Sequence, residues 1–248
     1  MKICAVIPAR MESTRFPGKP LTMIQGQPLL AYPLAVAQAC SAIAEVIVAT
    51  ANDDIAAAAK RLGARPVRTT QAHTTGTDRM HEVAALTHWS ADWYLNIQVD
   101  EVALKTSMLQ FLIEQATRAH EAMATLSTPF RALDEFKDAN RVKVLADSKD
   151  HAVSFSRGSI VELSRTITLS DLARLRLQRH IGVYLFSQQA LQAFAACPPC
   201  LWETTERLEQ LRALHLGLRP LVCEVDHPGV AIDVPEDVAL VASHLERL

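Results

Sequence analysis

Short apolar runs alternate with longer stretches of helical period through the first half of this chain. Residues 2–7, 45–50, 64–69 and 92–98 are the short runs, rich in Ile, Val and Ala, and predict strands. Residues 28–40, 52–63, 76–89 and 104–119 repeat apolar positions three and four apart and predict helices. Punctuation agrees with these periods. Asn52 or Asp53 stands where a capped helix begins and Gly63 where it stops, and Thr77 or Asp78 stands near the start of the next. Regular alternation of strand and helix predicts an α/β fold with a mostly parallel sheet and helices on both faces.

The second half changes character. "EAMATLSTPF", "NRVKVLAD", "HAVSFSR" and "RHIGVYLFS" are strand-like pieces joined by short loops. Residues 158–179 lack a clear period and are expected to form a mobile arm. Helices are predicted again at 188–196 and 203–216, then a strand at 219–225. "GVAIDVPEDVALVASHLERL" closes the chain as a short strand, a proline near a helix start and a terminal helix. No internal repeat or low-complexity linker divides the sequence. One domain spanning 1–248 is expected, with an embedded, smaller β-rich subregion at about 129–190.

Composition narrows the partners. A net charge of −2 with 21% charged residues gives no global field for nucleic acid or an anionic membrane. Neither a signal-peptide pattern nor an apolar run near bilayer length is present, so a cytoplasmic protein without membrane insertion is expected. Cys197 and Cys200 in "CPPC" have redox-motif spacing but do not open a helix after a strand, and with two prolines they read as a turn.

Candidate chemistry gathers where an open α/β sheet binds ligands, past the carboxyl ends of its strands. The first strand gives way to a loop holding Arg10, Arg15, Lys19 and Gly18. Such cations can neutralise a polyphosphate, and the glycine lets backbone come close. The loop lacks the GxxxxGK[ST] frame of a P-loop. Asp100 and Asp233 each follow an apolar run, and two carboxylates with substrate phosphates and waters suit magnesium. Read singly, each has a plain alternative: an exposed basic loop, and aspartates serving as caps or turn residues.

The residues "PARMESTRFPGKPL" at 8–21 resemble the signature of the 3-deoxy-manno-octulosonate (Kdo) cytidylyltransferase family, the CMP-Kdo synthetases. "TGTDR" at 75–79, "FSR" at 155–157, "RHIGVY" at 179–184, "ERLEQLRAL" at 206–214 and "IDVPED" at 232–237 follow in the family's order, so the resemblance spans nearly the whole chain. It implies a nucleotidyltransferase-type, Rossmann-like fold and magnesium-dependent transfer of CMP from CTP to an acidic sugar, within a homodimer. By the same resemblance Arg10, Arg15 and Lys19 hold the triphosphate. Ala9, Ala49, Thr50, Thr75, Gly76, Thr77 and Arg79 complete the CTP pocket. Asp100 and Asp233 bind Mg2+, and Gln98, Arg157, His180, Tyr184, Glu209 and Gln210 surround the acceptor.

Several of these side chains also have structural readings: a core His180, a core Tyr184 ring, a surface Glu209, and Arg79 paired with Glu82 at i,i+3. The chain departs from the family pattern at "QVDEV", residues 98–102, where Val99 and Val102 replace a glycine and a proline. Val161 likewise stands where a proline usually follows the isoleucine of "FSRGSIVELSR". A β-branched residue forbids positive φ and crowds a ligand. These changes fall on the acceptor side and leave open a different acid (an 8-amino version of the sugar, another keto-acid sugar or a small phosphonate), or a weakly active nucleotide-binding protein.

Overall fold

The computed structural model describes residues 1–248 except 13–14, 71–72, 162–166, 228–229, 233 and 246–248. Its backbone divides into two units, Met1–Ile113 with Val230–Leu248, and Glu114–Gly229.

The first unit runs through β1 (Ile3–Pro8), β2 (Met23–Ile24), β3 (Gln27–Pro28), α1 (Ala31–Ala39), β4 (Glu45–Thr50), α2 (Asp53–Arg61), β5 (Arg65–Arg68), α3 (Gly76–Leu86) and β6 (Trp93–Ile97). The next helix, α4 (Thr106–Arg118), contains the division between the units. Within the first unit the strand order β6-β1-β4-β5 is parallel throughout. Ile3–Ile7 are buried on both faces, which is why that run is continuously apolar rather than alternating. Asn52 accepts hydrogen bonds from Asp54 N and Ile55 N at 2.9 and 3.1 Å and so starts α2, while Gly63 at φ +76° ends it. The hairpin between β2 and β3 turns on Gln25 and Gly26, both at positive φ, as a two-residue connection requires. The sequence reading passed over that hairpin because two-residue strands carry no period.

The terminal segment departs from expectation. Residues 230–232 form no strand, yet Val230 and Ile232 pack with Ile24, Leu29, Val102, Ala103 and Val241. An apolar tripeptide buries its side chains as well from irregular backbone as from a ladder. The predicted terminal helix is α10, Asp237–Leu245, preceded by Pro235.

In the second unit come β7 (Met123–Thr128), α5 (Leu133–Lys137), β8 (Lys143–Ala146), β9 (Ala152–Ser156), α6 (Leu169–Arg174), β10 (Leu177–Ser187), α7 (Gln188–Ala196), α8 (Leu201–Glu206), α9 (Gln210–His215) and β11 (Leu221–Glu224). Here antiparallel pairing dominates: β7 with β10, β10 with β8 and β8 with β9, with β11 parallel to β7. The arm expected at 158–179 contains α6, opened by a capping box in which Thr168 and Asp171 bond each other's backbone N–H. "TLSD" was the legible signal for it. Val161 packs on a cluster of Phe130, Phe136, Ile167, Leu172 and Leu177, which gives this residue a role in the core.

A single helix predicted over 203–216 is two helices. Arg207 takes left-handed angles, φ +55° and ψ +48°, and ends α8. The cause is a buried bidentate ion pair: Arg212 Nε and Nη2 donate to Glu203 Oε2 and Oε1 at 2.8 and 2.6 Å. On a straight helix residues nine apart stand about 13.5 Å apart along the axis. The chain must reverse between them. "CPPC" is not the turn expected either: Cys197 and Cys200 are both extended, and no turn is formed between them. Two consecutive prolines favour polyproline geometry, which sets Cα atoms three residues apart at about 9 Å, too far for a disulfide.

Candidate active site

Past β1 the chain leaves the sheet with Ala9 N donating to Ala49 O at 2.9 Å. The basic loop then closes on itself, Gly18 N donating to Met11 O at 3.0 Å. Gly18 sits at φ +75°, conformational space that side-chain-bearing residues resist, and launches a single 3-10 turn over Lys19–Leu21. That turn points Lys19 inward, where Nζ donates to Asp100 Oδ2 at 2.7 Å with side chains only 11% and 19% exposed. Asp100 itself is set by the turn after β6, in which Glu101 N donates to Gln98 O at 3.2 Å. Residues 81 positions apart in sequence thus share one charge-assisted bond.

The other oxygen, Asp100 Oδ1, is buried with no hydrogen-bond partner among the described residues. An unpaired carboxylate oxygen removed from water costs several kcal/mol, on the order of a lost charged hydrogen bond. A hard divalent cation that takes oxygen donors fits that atom, and magnesium needs only one or two carboxylates when phosphates supply the rest. Asp233, the second expected ligand, lies outside the described residues. Among those described, no group of three His, Cys, Asp or Glu could hold a metal unaided.

Around this pair the other expected nucleotide residues have definite partners. Ala49 and Thr50 are fully buried, and Thr50 Oγ1 accepts from Asn52 N at 3.2 Å. Thr75 caps α3, accepting from Asp78 N at 3.1 Å. A Cβ on Gly76 would meet Asn96 Nδ2 and Pro8 Cγ, each at 3.3 Å, so glycine is what lets α3 start this close to β1 and β6. Thr77 accepts from Asn96 Nδ2 at 3.1 Å. Asn96 was missed at the sequence level, although a lone amide inside "YLNI" was a signal. Arg79 is buried and donates to Thr70 O at 3.1 Å and to Thr69 Oγ1, while Glu82 turns to Thr70 and His73. Burial, and then the nearby charge of Arg10, pull the Arg79 pKa down from the usual guanidinium value. Arg10 and Arg15 are exposed, and Gln98 is half-buried.

The turn 98–102 resolves what the two valines do. Val99 is not among the residues at positive φ, so the backbone here makes no demand that glycine alone could meet. Val102 is buried in the cluster around Ile24 and Ile232, filling the place of a proline ring with a side chain of similar bulk. It also lines an apolar groove of about 620 Å3 beside α1, and that groove holds none of the expected site residues.

The second unit holds most of the acceptor candidates. His180 stacks on Tyr184 with centroids 5.3 Å apart, and Tyr184 donates its hydroxyl to Gln210 Oε1 at 3.0 Å. Thr125 Oγ1 donates to Val183 O at 2.7 Å, so its contact with His180 Nε2 at 2.9 Å requires the imidazole to donate. That fixes the Nε2–H tautomer. Thr125 was not foreseen; nothing distinguishes one threonine in a strand from another before β10 is laid beside it. Glu209, half-buried, stands immediately before α9 and beside Gln210. Arg157 is tied down, donating from Nε to Glu206 O at 3.0 Å and from Nη1 to Ala139 O at 3.3 Å. Its own carbonyl accepts from Lys143 Nζ at 2.8 Å. Lys143, also missed, is a buried cation inside "VKV"; burial lowers its pKa.

Burial first, and Arg179 second, push the His180 pKa from 6.5 to about 3. The folded chain therefore keeps this imidazole neutral where the unfolded chain would protonate it. Its contribution to stability is whole above the unfolded pKa of 6.5 and is lost progressively as pH falls toward about 3. The expected loss is about 1.4 kcal/mol per pH unit within that window. His180→Gln should flatten the fall between pH 6.5 and 4, read from urea midpoints. Parallel acid limbs for the two proteins would exclude His180 as the cause.

A parallel sheet with a cation-rich loop and an inward carboxylate past its strands suits an α/β enzyme that handles a phosphorylated ligand, and likeness to known proteins gives the class. A family model described as Cytidylyltransferase matches residues 4–219. A 3-deoxy-manno-octulosonate cytidylyltransferase of Thioalkalivibrio sulfidiphilus (strain HL-EbGR7) is 42% identical over 246 residues, covering 96% of each chain. One of Geotalea uraniireducens (strain Rf4) is 37% identical over 253 residues, covering 100% of both. A solved CMP:2-keto-3-deoxy-manno-octonic acid synthetase complexed with CTP superimposes with a TM-score of 0.88 at 30% identity, over 100% of this chain and 99% of that one. A 4-diphosphocytidyl-2C-methyl-D-erythritol synthase shares the fold at a TM-score of 0.64 and 20% identity. The chain belongs to the CMP-Kdo synthetase family of cytidylyltransferases. It is a CTP-dependent nucleotidyltransferase.

Proposed function

We propose that the enzyme transfers CMP from CTP to a hydroxyl of Kdo, releasing pyrophosphate, and that it does so with Mg2+. The observation that carries this reading is the Lys19–Asp100 pair with its buried, unpartnered Asp100 Oδ1. It is supported by relatives of that activity aligned along the whole chain.

In this reading Lys19 fixes the orientation of Asp100 through a charge-assisted hydrogen bond at 2.7 Å. Arg10 and Arg15 neutralise the triphosphate and stabilise the charge that develops on departing pyrophosphate. The backbone N–H groups opening α3 face the same anion, where a helix start favours negative charge. A magnesium ion held by Asp100 and Asp233 would supply Lewis-acid polarisation of the phosphates and of the attacking hydroxyl. By the family resemblance Arg157, His180, Tyr184, Glu209 and Gln210 of the second unit bind the acidic sugar; a neutral His180 donating from Nε2 to Thr125 holds the Tyr184 ring by stacking rather than by charge. No covalent intermediate on a side chain is needed for this transfer. The family resemblance also supports a homodimer acting in the cytoplasm.

The direct test is pyrophosphate release from CTP with Kdo and Mg2+, against controls lacking each. Release that needs all three is expected. Release no greater than the control without Kdo, from protein that still binds CTP, would exclude Kdo as acceptor, and a small phosphonate would be tried next.

A further inference from the structure

The segment between β5 and α3 is bound to α3 itself. Thr70 N donates to both carboxylate oxygens of Glu82, at 2.9 and 3.1 Å, and His73 Nε2 bonds Glu82 Oε2. From the preceding turn of the same helix, Arg79 Nη1 donates to Thr70 O at 3.1 Å and to Thr69 Oγ1. Upstream, Thr69 N donates to Thr50 O at 3.1 Å, continuing the ladder between β4 and β5. One carboxylate and one guanidinium, a turn apart on α3, thus grip both the N–H and the C=O of Thr70. Glu82 and His73 side chains are each 20% exposed, so water competes weakly for these bonds.

A strand end and a helix start joined by a short polar segment would otherwise be free to slide and twist relative to each other. Here the start of α3, with its cap Thr75 and the N–H groups of Gly76 and Thr77, is referred back to β5 by a clamp. The carboxylate is the centre of that clamp, because it bonds two different described residues of the segment, Thr70 and His73. We propose that Glu82 is a positioning residue for the nucleotide: by fixing Thr70 and His73 it holds the 75–77 turn in the geometry that receives CTP. The inference rests on the reading of 75–79 as part of the CTP pocket. It acts before chemistry, on the order of the unliganded site, so it lowers the ordering cost of binding and leaves the barrier of the bound complex alone.

Steady-state kinetics on the purified full chain, with CTP varied at saturating Kdo and Mg2+, separates these effects. Glu82→Met keeps the length and removes every acceptor; KM for CTP should rise about tenfold with kcat within twofold. Glu82→Gln should stay within about threefold of the parent KM, because its amide oxygen accepts from Thr70 N and its NH2 donates to the other tautomer of His73. His73→Ala, which loses one bond, should fall between them, and it decides the matter if Glu82→Met does not fold. Thr75→Val reports on the underlying reading. If Thr75→Val raises KM for CTP and the Glu82 and His73 variants do not, the clamp is overturned and the pocket stands. If none of them changes KM for CTP, the pocket reading fails as well. A fall in kcat at constant KM, with a lowered melting temperature, would assign Glu82 to stability alone and overturn the proposal.

Discussion

Asp100→Asn is expected to lower kcat about a thousandfold, within the range for removing one electrostatic element aimed at a reacting phosphate. The amide keeps the shape of the carboxylate, so the cavity is unchanged, and only the charge goes. Two partners lose it. Lys19 Nζ, 2.7 Å away and on a side chain 11% exposed, is left facing a neutral oxygen or an NH2 group. Oδ1, buried and unpartnered, no longer presents the anionic oxygen that a divalent cation takes in preference to an amide. The variant should cost about 1–3 kcal/mol of stability through the stranded lysine, small enough to leave it folded. Pyrophosphate release should recover in part at high Mg2+, since a weakened site fills by mass action. A merely structural ion pair behaves differently: the melting temperature falls, kcat of the folded fraction stays within a fewfold of the parent, and Mg2+ concentration makes no difference.

A larger effect on stability is expected from Arg212→Met. The guanidinium and the Glu203 carboxylate have side chains 2% and 6% exposed, and Phe194 presents its ring to the guanidinium at 4.4 Å. Removing the cation strands a buried carboxylate, which costs about 3–5 kcal/mol. In a chain of this length that corresponds to a fall of about 10 °C in melting temperature. The double variant Glu203→Gln/Arg212→Met should recover more than half of the loss, because no isolated charge remains. A single variant within 1 kcal/mol of the parent, or a double variant worse than the single one, would rule out the ion pair as the element holding α8 against α9. Function should follow structure here. Glu206 at the end of α8 accepts from Arg157 N and Ser156 Oγ at 3.0 and 2.9 Å, and Gln210 at the start of α9 accepts from Tyr184. Loosening the two helices should therefore raise KM for the acceptor more than KM for CTP.

How much could be read in advance differs between the two halves of the chain. The parallel core was legible because β1, β4 and β6 are mostly buried apolar runs and because α2 and α3 start at capping residues, Asn52 and Thr75. The basic loop and Asp100 were legible for a related reason, since each follows an apolar run and breaks it, whereas "TGTDR" was legible as a nucleotide motif only through its likeness to the family. The bend at Arg207 was not legible. Nothing local in "WETTERLEQLR" interrupts helical period, and the break exists because two charges nine residues apart must meet out of water. Val99 and Val102 point the other way, since local rules made them look like obstacles. The turn needs no positive φ at Val99, and the core accepts Val102.

The sequence by itself determined the fold class, the family and the kinds of side chain brought to the chemistry. Those properties rest on periodicity, caps and motifs that reach no further than a helix or a turn. Tertiary structure alone decided which groups are partners: Lys19 with Asp100, Thr77 with Asn96, Thr125 with His180, Glu82 with the segment before its own helix. The reason is physical. A charge or a hydroxyl acquires its tautomer, its pKa and its price in desolvation from what burial places beside it, and burial is a property of the folded chain.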